Sequence, residues 1–357
     1  MSLKKLRKTV DSVDSEILKL LNKRAKIILD IVKVKGKTRE SIYVPDREKD
    51  VYKKLTSQNT GPLANSAVKA IYREVMSSAL QMERPLKIAY LGPEFTFSHL
   101  ASMKKFGSSV DYIPCVTITD VFNEVDKFRA DYGVVPIENS IEGAVNHTLD
   151  MFIDSGLKIC SEVYLEICHN LLSNESDKKT IKRVYSHPQV LGQCRVWLES
   201  NLAKVELMEV SSTTKAAQIA AKEKGAACIA SEPAAGKYGL KILYKSIEDS
   251  VHNVTRFLII GRTEAKPTKE DKTSIMFSVK DKSGALHDIL VPFKKYKINM
   301  TKIESRPSKV RAWEYYFFVD LEGHHFDKKV KNALSELKKH SSYMKILGSY
   351  PMEMGRE

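Results

Sequence analysis

The sequence lacks the marks of several large classes of protein. Its 357 residues include no apolar run close to the ~20 that a membrane-spanning helix needs, and the basic N-terminus mixes charges where a signal peptide would be apolar. The five cysteines form no C-x-x-C pair and show no zinc-ligand spacing. No Gly-x-Gly-x-x-Gly loop occurs, which disfavours dinucleotide binding. We therefore expect a soluble, cytoplasmic chain in a reducing compartment, with no metal and no other cofactor.

Positive charge is abundant but not concentrated. The formal net charge is +14 and the pI is near 9.3, values that would permit nucleic-acid binding. The lysines are nevertheless spread along the chain, with no long basic tail and no aromatic-interleaved basic motif. A solvated lysine-rich surface is the simpler interpretation, so we predict neither a nucleic-acid nor a membrane partner. The same positive field would favour small dianionic ligands.

Residues 1–84 predict an all-α domain. Apolar residues recur at alternating spacings of three and four from Leu3 onward, and no Gly or Pro interrupts this pattern before Gly36. Further helices are predicted after Pro45 and from about Pro62 to Met82. Because a helix of over thirty residues cannot bury its apolar stripe alone, we expect a homodimer or a higher homo-oligomer.

Residues 86–263 predict an α/β domain, because short apolar strands alternate there with helical patterns. A polar linker at 262–271 follows, and residues 272–352 show the β-α-β-β-α-β order of a ferredoxin-like domain. The predicted strands of the α/β domain are 86–91, 132–135, 183–186, 226–230 and 256–260. In the last domain we predict strands at 273–279 and 313–320 and helices at 285–296 and 328–339.

A cation interrupts the apolar stripe of the first helix. The alternation lands on Arg24, and a buried guanidinium needs an anion. Lys35 lies eleven residues further on, within about 20° of Arg24 on the helix face, so both could meet one ligand. Arg7 lies about 100° away and would have to come from a partner subunit. The alternative is that Arg24 extends its charge to solvent from the edge of the stripe.

The helical segment resembles the all-helical chorismate mutases. The resemblance rests on Leu6-Arg7, Leu20-Leu21-Asn22-Lys23-Arg24, Lys33-Val34-Lys35, Asp46-Arg47-Glu48 and Ser77-x-x-x-Gln81. It implies an intertwined dimer that rearranges chorismate, with Lys35 and Gln81 donating to the breaking ether oxygen and Glu48 accepting the ring hydroxyl. It also implies a substrate-binding set of Arg7, Arg24, Arg47 and Ser77, with the arginines on the carboxylates. Val44 stands where some members carry an aspartate.

The α/β segment resembles the prephenate dehydratases through several motifs in order. These are Leu91 to Ser98, Val135-Pro136-Ile137-Glu138-Asn139-Ser140, Ser186-His187-Pro188-Gln189-x-x-x-Gln193-Cys194, Ser211 to Thr214, Ala230 to Leu240 and Thr255-Arg256-Phe257, with Phe95 in place of the usual glycine. The resemblance implies a two-lobed α/β fold like that of periplasmic binding proteins. It assigns Thr255 as proton donor to the departing hydroxyl and Arg256 as carboxylate ligand. The other pocket groups would be Thr96, Ser98, Asn139, Ser186 and Gln193, although many such polar residues only cap helices and turns. His187 is a possible catalyst or a structural residue.

The last segment resembles the ACT domains attached to prephenate dehydratases. Gly284 to Leu290 and Asn299 to Pro307 carry this resemblance. It implies allosteric inhibition by L-phenylalanine, with an effector-binding set of Gly284, Ala285, Leu286, Asn299, Glu304 and Ser305. A glycine at a strand-to-helix turn lets backbone amides approach a carboxylate at the helix N-terminus. The alternative is an ordinary glycine turn without a ligand.

Two other functions compete with this interpretation. A non-catalytic ligand binder with an attached sensor domain would not need Thr255-Arg256 or the mutase set. A prephenate dehydrogenase would need the absent dinucleotide loop. We therefore predict a multidomain enzyme that converts chorismate through prephenate to phenylpyruvate, built from an all-α, a two-lobed α/β and an α+β ferredoxin-like domain.

Overall fold

A computed structural model describes residues 2–35, 43–279, 283–307 and 315–353, and the side chain of Lys35 also falls outside the described part. The chain divides into two compact units. Unit 1 comprises Met1–Lys87 and Lys105–Asp111, and unit 2 comprises Ile88–Lys104 and Tyr112–Glu357. The predicted domain limits, 1–84, 86–263 and 272–352, stay a prediction.

Unit 1 is helical, as predicted. Its helices are α1 (Leu3–Lys35), α2 (Pro45–Gln58) and α3 (Asn65–Glu83). Helix α2 begins with proline at its first position, where no backbone donor is lost, and Asp46 and Glu48 lie in its first turn, where the helix dipole favours acids.

The apolar stripe of α1 is exposed in the single chain. Val10 is 57% exposed, Ile17 49% and Leu20 63%. Exposure of such a row to water is unfavourable by roughly 1.5–3 kcal/mol for each side chain that a partner could bury.

Unit 2 contains two α/β lobes. The first lobe is a sheet of strand order β2-β1-β3-β11-β5, with β4 paired to β3, and its strand β11 runs antiparallel to β3 and β5. Its strands are β1 (Lys87–Leu91), β2 (Asp111–Cys115), β3 (Tyr132–Asn139), β4 (Gly143–Ala144), β5 (Lys158–Glu166) and β11 (Val254–Gly261). Its helices are α4 (Phe97–Phe106), α5 (Ile118–Asp126) and α6 (Asn146–Asp154).

The second lobe is a sheet of order β10-β6-β9-β7-β8 with its own apolar core. Its strands are β6 (Asn170–Ser173), β7 (Arg183–Ser186), β8 (Glu206–Glu209), β9 (Ala226–Ala230) and β10 (Lys241–Tyr244). Its helices are α7 (Pro188–Gln193), α8 (Arg195–Asn201), α9 (Thr213–Ala220) and α10 (Glu232–Tyr238), with a 3-10 turn at Lys178–Thr180.

The chain crosses between the two lobes twice, at residues 167–169 and 245–253. The amide of Ile167 donates to the Asn253 carbonyl at 2.8 Å, and the amide of Ile247 donates to the His169 carbonyl at 2.8 Å. These two hydrogen-bonded crossings form the hinge between the lobes.

The C-terminal part of unit 2 has the predicted ferredoxin-like order. Its elements are β12 (Asp271–Ser278), α11 (Ala285–Lys295), β13 (Met300–Pro307), β14 (Tyr315–Glu322), α12 (Lys328–His340) and β15 (Tyr343–Pro351). They form a sheet of order β13-β14-β12-β15. Residues 313–314 of the predicted strand 313–320 lie outside the described residues.

This sheet packs directly on the first lobe. Met276 and Leu347 share one core cluster with Ile137 and Leu258. At Gly348 of β15 a Cβ atom would collide with the backbone of Ile159 on β5, so only glycine permits this approach.

The strands predicted for the α/β domain are all present with small changes at their ends. The strand predicted at 132–135 continues to Asn139, which carries it into the polar motif that follows. Among the described residues, no helix is both long enough and apolar enough to span a membrane, and no three His, Cys, Asp or Glu side chains group as a metal site.

Candidate active sites and effector region

The first candidate site is a cavity of about 340 Å³ in unit 1, within the usual size range for small-ligand pockets. Four of the predicted mutase residues line it, together with Val44, at the position of the departure noted above. The charged and polar lining consists of Arg24, Tyr43, Arg47, Glu48, Arg73, Ser77, Glu83 and Lys105, so four cations face two anions. A small dianion fits this balance of charge.

The cations of the cavity come from different elements. Arg24 of α1 donates to the Val75 carbonyl of α3 at 3.4 Å, which directs it inward rather than to solvent. Arg73 pairs with the neighbouring Glu74 at 2.9 Å. The alternative in which Arg24 extends its charge to solvent is therefore not what the structure has, because Arg24 lines the cavity.

Glu48 is held by two donors. Tyr43 donates its hydroxyl to Glu48 Oε2 at 2.8 Å, and Lys105 Nζ lies 3.0 Å from the same oxygen. Burial, followed by the charge of Glu48, raises the pKa of Tyr43 well above its usual range, so this hydroxyl remains a donor.

Three predicted mutase residues lie outside the described lining of the cavity. Arg7 is exposed on α1, about 25 Å along the helix from Arg24, so it cannot reach the cavity of its own chain. Gln81 does not line the cavity, and its buried Oε1 accepts no hydrogen bond from the described residues. The side chain of Lys35 lies outside the described residues.

The second candidate site is a hydrogen-bonded chain of side chains at the hinge of unit 2. Asn139 Oδ1 accepts from the backbone amides of Ile141 and Glu142 at 2.9 and 3.0 Å, which fixes the orientation of its amide. Its Nδ2 therefore points to Thr255 Oγ1 at 2.8 Å and to Asn253 Oδ1 at 2.7 Å. Because Thr255 accepts this bond, its own hydroxyl proton can be donated elsewhere.

The same directionality continues across the hinge. Asn253 Nδ2 donates to Gln193 Oε1 at 3.0 Å, and Gln193 Nε2 donates to Glu142 Oε1 at 3.0 Å. The His169 Nε2 atom lies 2.8 Å from the same Gln193 Oε1, so it carries the proton. Burial lowers the pKa of His169, which keeps the ring neutral, and its buried Nδ1 has no partner among the described residues.

The structure thus brings Thr255, Asn139 and Gln193 together. Ser186 and Thr96 instead satisfy backbone carbonyls: Ser186 donates to Ile229 at 2.9 Å, and Thr96 donates to Pro93 at 2.9 Å. Ser98 is buried on α4. His187 caps α7 through its side chain, which gives it a structural position.

Arg256 points away from this hydrogen-bonded chain. It is only 5% exposed, and its guanidinium contacts Glu162 at 2.8 Å, Asp320 at 2.5 Å and the Tyr350 hydroxyl at 2.9 Å. Burial alone would lower the pKa of Arg256, but Asp320, Tyr350 and Glu162 raise it well above its usual range. Lys272 lies 2.8 Å from Glu162, and the partly exposed Glu138 lies 3.8 Å from Arg256 and 3.0 Å from Lys302, so three cations and three anions form the cluster.

The backbone conformation at Phe95 is one that glycine adopts more easily than other residues. Its φ of 66° is left-handed, a conformation that costs a residue with a Cβ about 1 kcal/mol. The backbone is held there because its amide donates to His99 Nδ1 at 3.1 Å and its carbonyl accepts from Ser231 at 2.9 Å.

The predicted effector residues lie at two ends of α11. Gly284, with φ of 79°, precedes the helix, followed by Ala285 and Leu286, whereas Asn299 comes after the helix and donates to Glu322 at 2.9 Å. The eleven residues of α11 separate these ends by about 16 Å. Glu304 and Ser305 lie on β13, at the edge of the sheet as far as the described residues extend.

Sequence reasoning missed Asn253, His169, Glu142 and Lys105. Alternation along β11 could have found Asn253, because it lies two residues before Thr255 and so shares its face. The other three come from separate elements, and nothing in their local sequence points to the site.

Comparison with known proteins decides the family. A bifunctional chorismate mutase/prephenate dehydratase of Aquifex aeolicus (strain VF5) is 50% identical over 99% of both chains. This chain belongs to the bifunctional chorismate mutase/prephenate dehydratase family. A second relative with the same description, from Pseudomonas aeruginosa, is 46% identical over 98% of this chain and 97% of that one. The predicted family, fold class and enzyme class are confirmed.

Separate family matches cover three parts of the chain. Type II chorismate mutase matches residues 6–84, prephenate dehydratase residues 88–265 and the ACT domain residues 273–339. A crystal structure of a prephenate dehydratase from Arthrobacter aurescens, described as a complex with L-Phe, superimposes with a TM-score of 0.70. It is 32% identical and covers 75% of this chain and 90% of that chain.

Proposed function

We propose that the chain rearranges chorismate to prephenate in the cavity of unit 1 and converts prephenate to phenylpyruvate at the hinge of unit 2, subject to inhibition by L-phenylalanine. The observation that carries this proposal is the presence of a cationic cavity and a separate threonine-centred site in one chain. Free thiols at all five cysteines support a cytoplasmic setting.

The mutase reaction breaks the ether carbon–oxygen bond and forms a carbon–carbon bond within one molecule, so it needs no nucleophile. It needs a compact substrate conformation and positive charge near the breaking oxygen. Arg24 and Arg47 would hold the carboxylates, Glu48 would accept the ring hydroxyl, and Ser77 would complete the wall. Lys35 and Gln81 would donate to the ether oxygen.

We place the mutase in a homodimer. The exposed stripe of α1 supports this assembly, because a second copy would cover it and bring its own Arg7 to the cavity. The separation of Gly284 from Asn299 supports the same assembly at the effector site, where one copy would supply the carboxylate-binding turn and the other the polar contact.

In the dehydratase reaction, the ring hydroxyl leaves with a proton as water while the ring carboxylate leaves as carbon dioxide, and the remaining ring becomes aromatic. Thr255 would supply that proton, because the bond that it accepts from Asn139 leaves its O–H directed elsewhere. Gln193 would hold the two lobes together around the substrate through Glu142. Arg256 would position the catalytic strand from behind, which is an alternative to its predicted contact with substrate.

Feedback would reach the catalytic strand through Arg256. Phenylalanine bound at Gly284 shifts an equilibrium only if it binds one arrangement more tightly than the other. Asp320 on β14 contacts Arg256, and Arg256 is the neighbour of Thr255, so this ion pair would couple the ACT sheet to the first-lobe strand that carries the proton donor.

The direct test is incubation of the purified chain with chorismate and no added cofactor. We expect prephenate and then phenylpyruvate, and we expect added L-phenylalanine to slow the second step. Binding of chorismate without turnover would favour the non-catalytic alternative instead.

A further inference from the structure

The wall of the mutase cavity includes a segment from outside the predicted mutase residues. Lys105 and Phe106, the last two residues of α4, line the cavity. The stretch Lys105–Asp111 belongs to the helical unit 1, although the prephenate dehydratase family matches the whole range 88–265.

Lys105 has a defined partner there. Its Nζ lies 3.0 Å from Glu48 Oε2, and the two side chains are only 11% and 13% exposed. Tyr43 donates to the same oxygen at 2.8 Å. Both of these donors engage Oε2, and Glu48 also lines the cavity, so Oε1 is the oxygen that a ligand there could meet.

The turn after Lys105 is anchored on α3. Ser108 donates to Glu74 Oε2 through its amide at 2.8 Å and its hydroxyl at 2.7 Å, and the Ser109 amide donates to Ser77 Oγ at 3.0 Å. Gly107 lies so close that a Cβ there would be 2.6 Å from the Cβ of Ser77. The same turn therefore orients Ser77 and fixes the place of Lys105.

These contacts indicate that Lys105 fixes the orientation of the Glu48 carboxylate. A carboxylate with little exposure needs fixed donors, and a cation so placed holds it in one rotamer. The cavity also has to accept a dianion, and Lys105 brings its lining to four cations.

We propose that Lys105 is a positioning residue of the mutase reaction: it holds the Glu48 carboxylate with Oε1 directed at the ring hydroxyl of the substrate. The inference rests on the proposed mutase function. It makes rearrangement of chorismate dependent on a lysine that lies beyond the mutase part of the sequence.

The test uses the full chain and three variants: Lys105→Met, Lys105→Arg and, as a matched control, Lys53→Met, an exposed lysine on α2 that does not line the cavity. We expect Lys105→Met to lower kcat/KM for chorismate by about 10- to 100-fold, the usual effect of losing a charged hydrogen bond. Lys105→Arg should recover part of this loss. Dehydration of added prephenate should be unchanged in all three.

A double-mutant cycle with Glu48→Gln separates positioning from a general structural effect. If Lys105 acts through Glu48, Lys105→Met should cost much less in the Glu48→Gln chain than in the wild type. Equal losses in both backgrounds, or a Lys105→Met chain within twofold of wild type, would overturn the inference. A wild type without chorismate turnover would overturn the proposed function, and this inference with it.

Discussion

The guanidinium of Arg256 and the carboxylate of Asp320 lie 2.5 Å apart and are both almost fully buried. Arg256 belongs to the strand of the proposed proton donor, and Asp320 belongs to the ACT sheet. Ser274 adds a hydrogen bond to Asp320 at 2.5 Å. The pair therefore joins the catalytic and regulatory parts of unit 2 through charge as well as through apolar packing.

Replacement of Asp320 by Asn should destabilise the protein by about 3 kcal/mol, because it leaves a buried guanidinium with one anion fewer. Burial alone would raise the pKa of Asp320, but Arg256 and Ser274 lower it below its usual value. The difference from wild type should thus be complete above about pH 4 and fade as the pH falls through the lowered pKa. Urea unfolding at pH 7 and at acid pH measures both effects.

Asp126→Asn, an exposed carboxylate at the end of α5, is the matched control and should change stability by less than about 0.5 kcal/mol. Equal stabilities of Asp320→Asn and the control at pH 7 would show that the buried pair contributes nothing.

Arg24→Ala should abolish chorismate rearrangement and leave prephenate dehydration largely intact, because the guanidinium lines only the cavity of unit 1. Separate assays with chorismate and with prephenate measure the two activities. Lys26→Ala, on the opposite face of α1, should retain both. Parallel loss of both activities in folded Arg24→Ala would contradict two separate sites.

Thr255→Val keeps the volume of the side chain and removes its hydroxyl. We expect dehydratase turnover to fall by about 10²- to 10⁴-fold with a smaller effect on substrate binding, as is usual for loss of a general acid. Steady-state kinetics with prephenate give kcat and KM separately. Asn139→Asp is a companion variant, since it keeps the acceptor for the amides of Ile141 and Glu142 but cannot donate to Thr255.

The mutase activity of both variants is the internal control and should be unchanged. Retention of more than half of the wild-type dehydratase turnover by Thr255→Val would exclude a proton-donor role.

Gly284→Val should weaken binding of L-phenylalanine and relieve inhibition, because a β-branched residue is strained at φ of 79° even though its Cβ would meet no atom. Coupling of typical size would make the wild-type inhibition roughly 5- to 150-fold in apparent affinity. Calorimetry with L-phenylalanine and prephenate kinetics give the two readouts.

The neighbouring Ser283→Val serves as the control, because Ser283 is exposed and its replacement leaves Gly284 unchanged. Equal heats and equal inhibition in wild type and Gly284→Val would remove Gly284 from the effector site.

Local patterns predicted the three helices of unit 1 and part of the elements of unit 2. The unbroken apolar alternation from Leu3 predicted α1, and the helix predicted after Pro45 begins one residue earlier, at Pro45 itself. The alternation of side chains along a strand was not applied to the dehydratase pocket. It puts Thr255 and Arg256 on opposite faces, so the two could not both face one substrate from a regular strand. The position of Lys105 depends on packing between distant segments, which periodicity does not report.

The backbone contact between Gly348 and Ile159 limits how unit 2 can move. Sliding between packed elements proceeds by small changes of side-chain rotamers, but at Gly348 the two backbones touch with no side chain between them. The shared apolar core and the buried Arg256–Asp320 pair join the same two sheets. The ACT sheet and the first lobe should therefore move as one rigid body. A change that begins at the sensor must then emerge as rotation of the second lobe about residues 167–169 and 245–253. The first lobe, joined to the ACT sheet, would then form the fixed side of the site at that hinge, and the second lobe would form its mobile side.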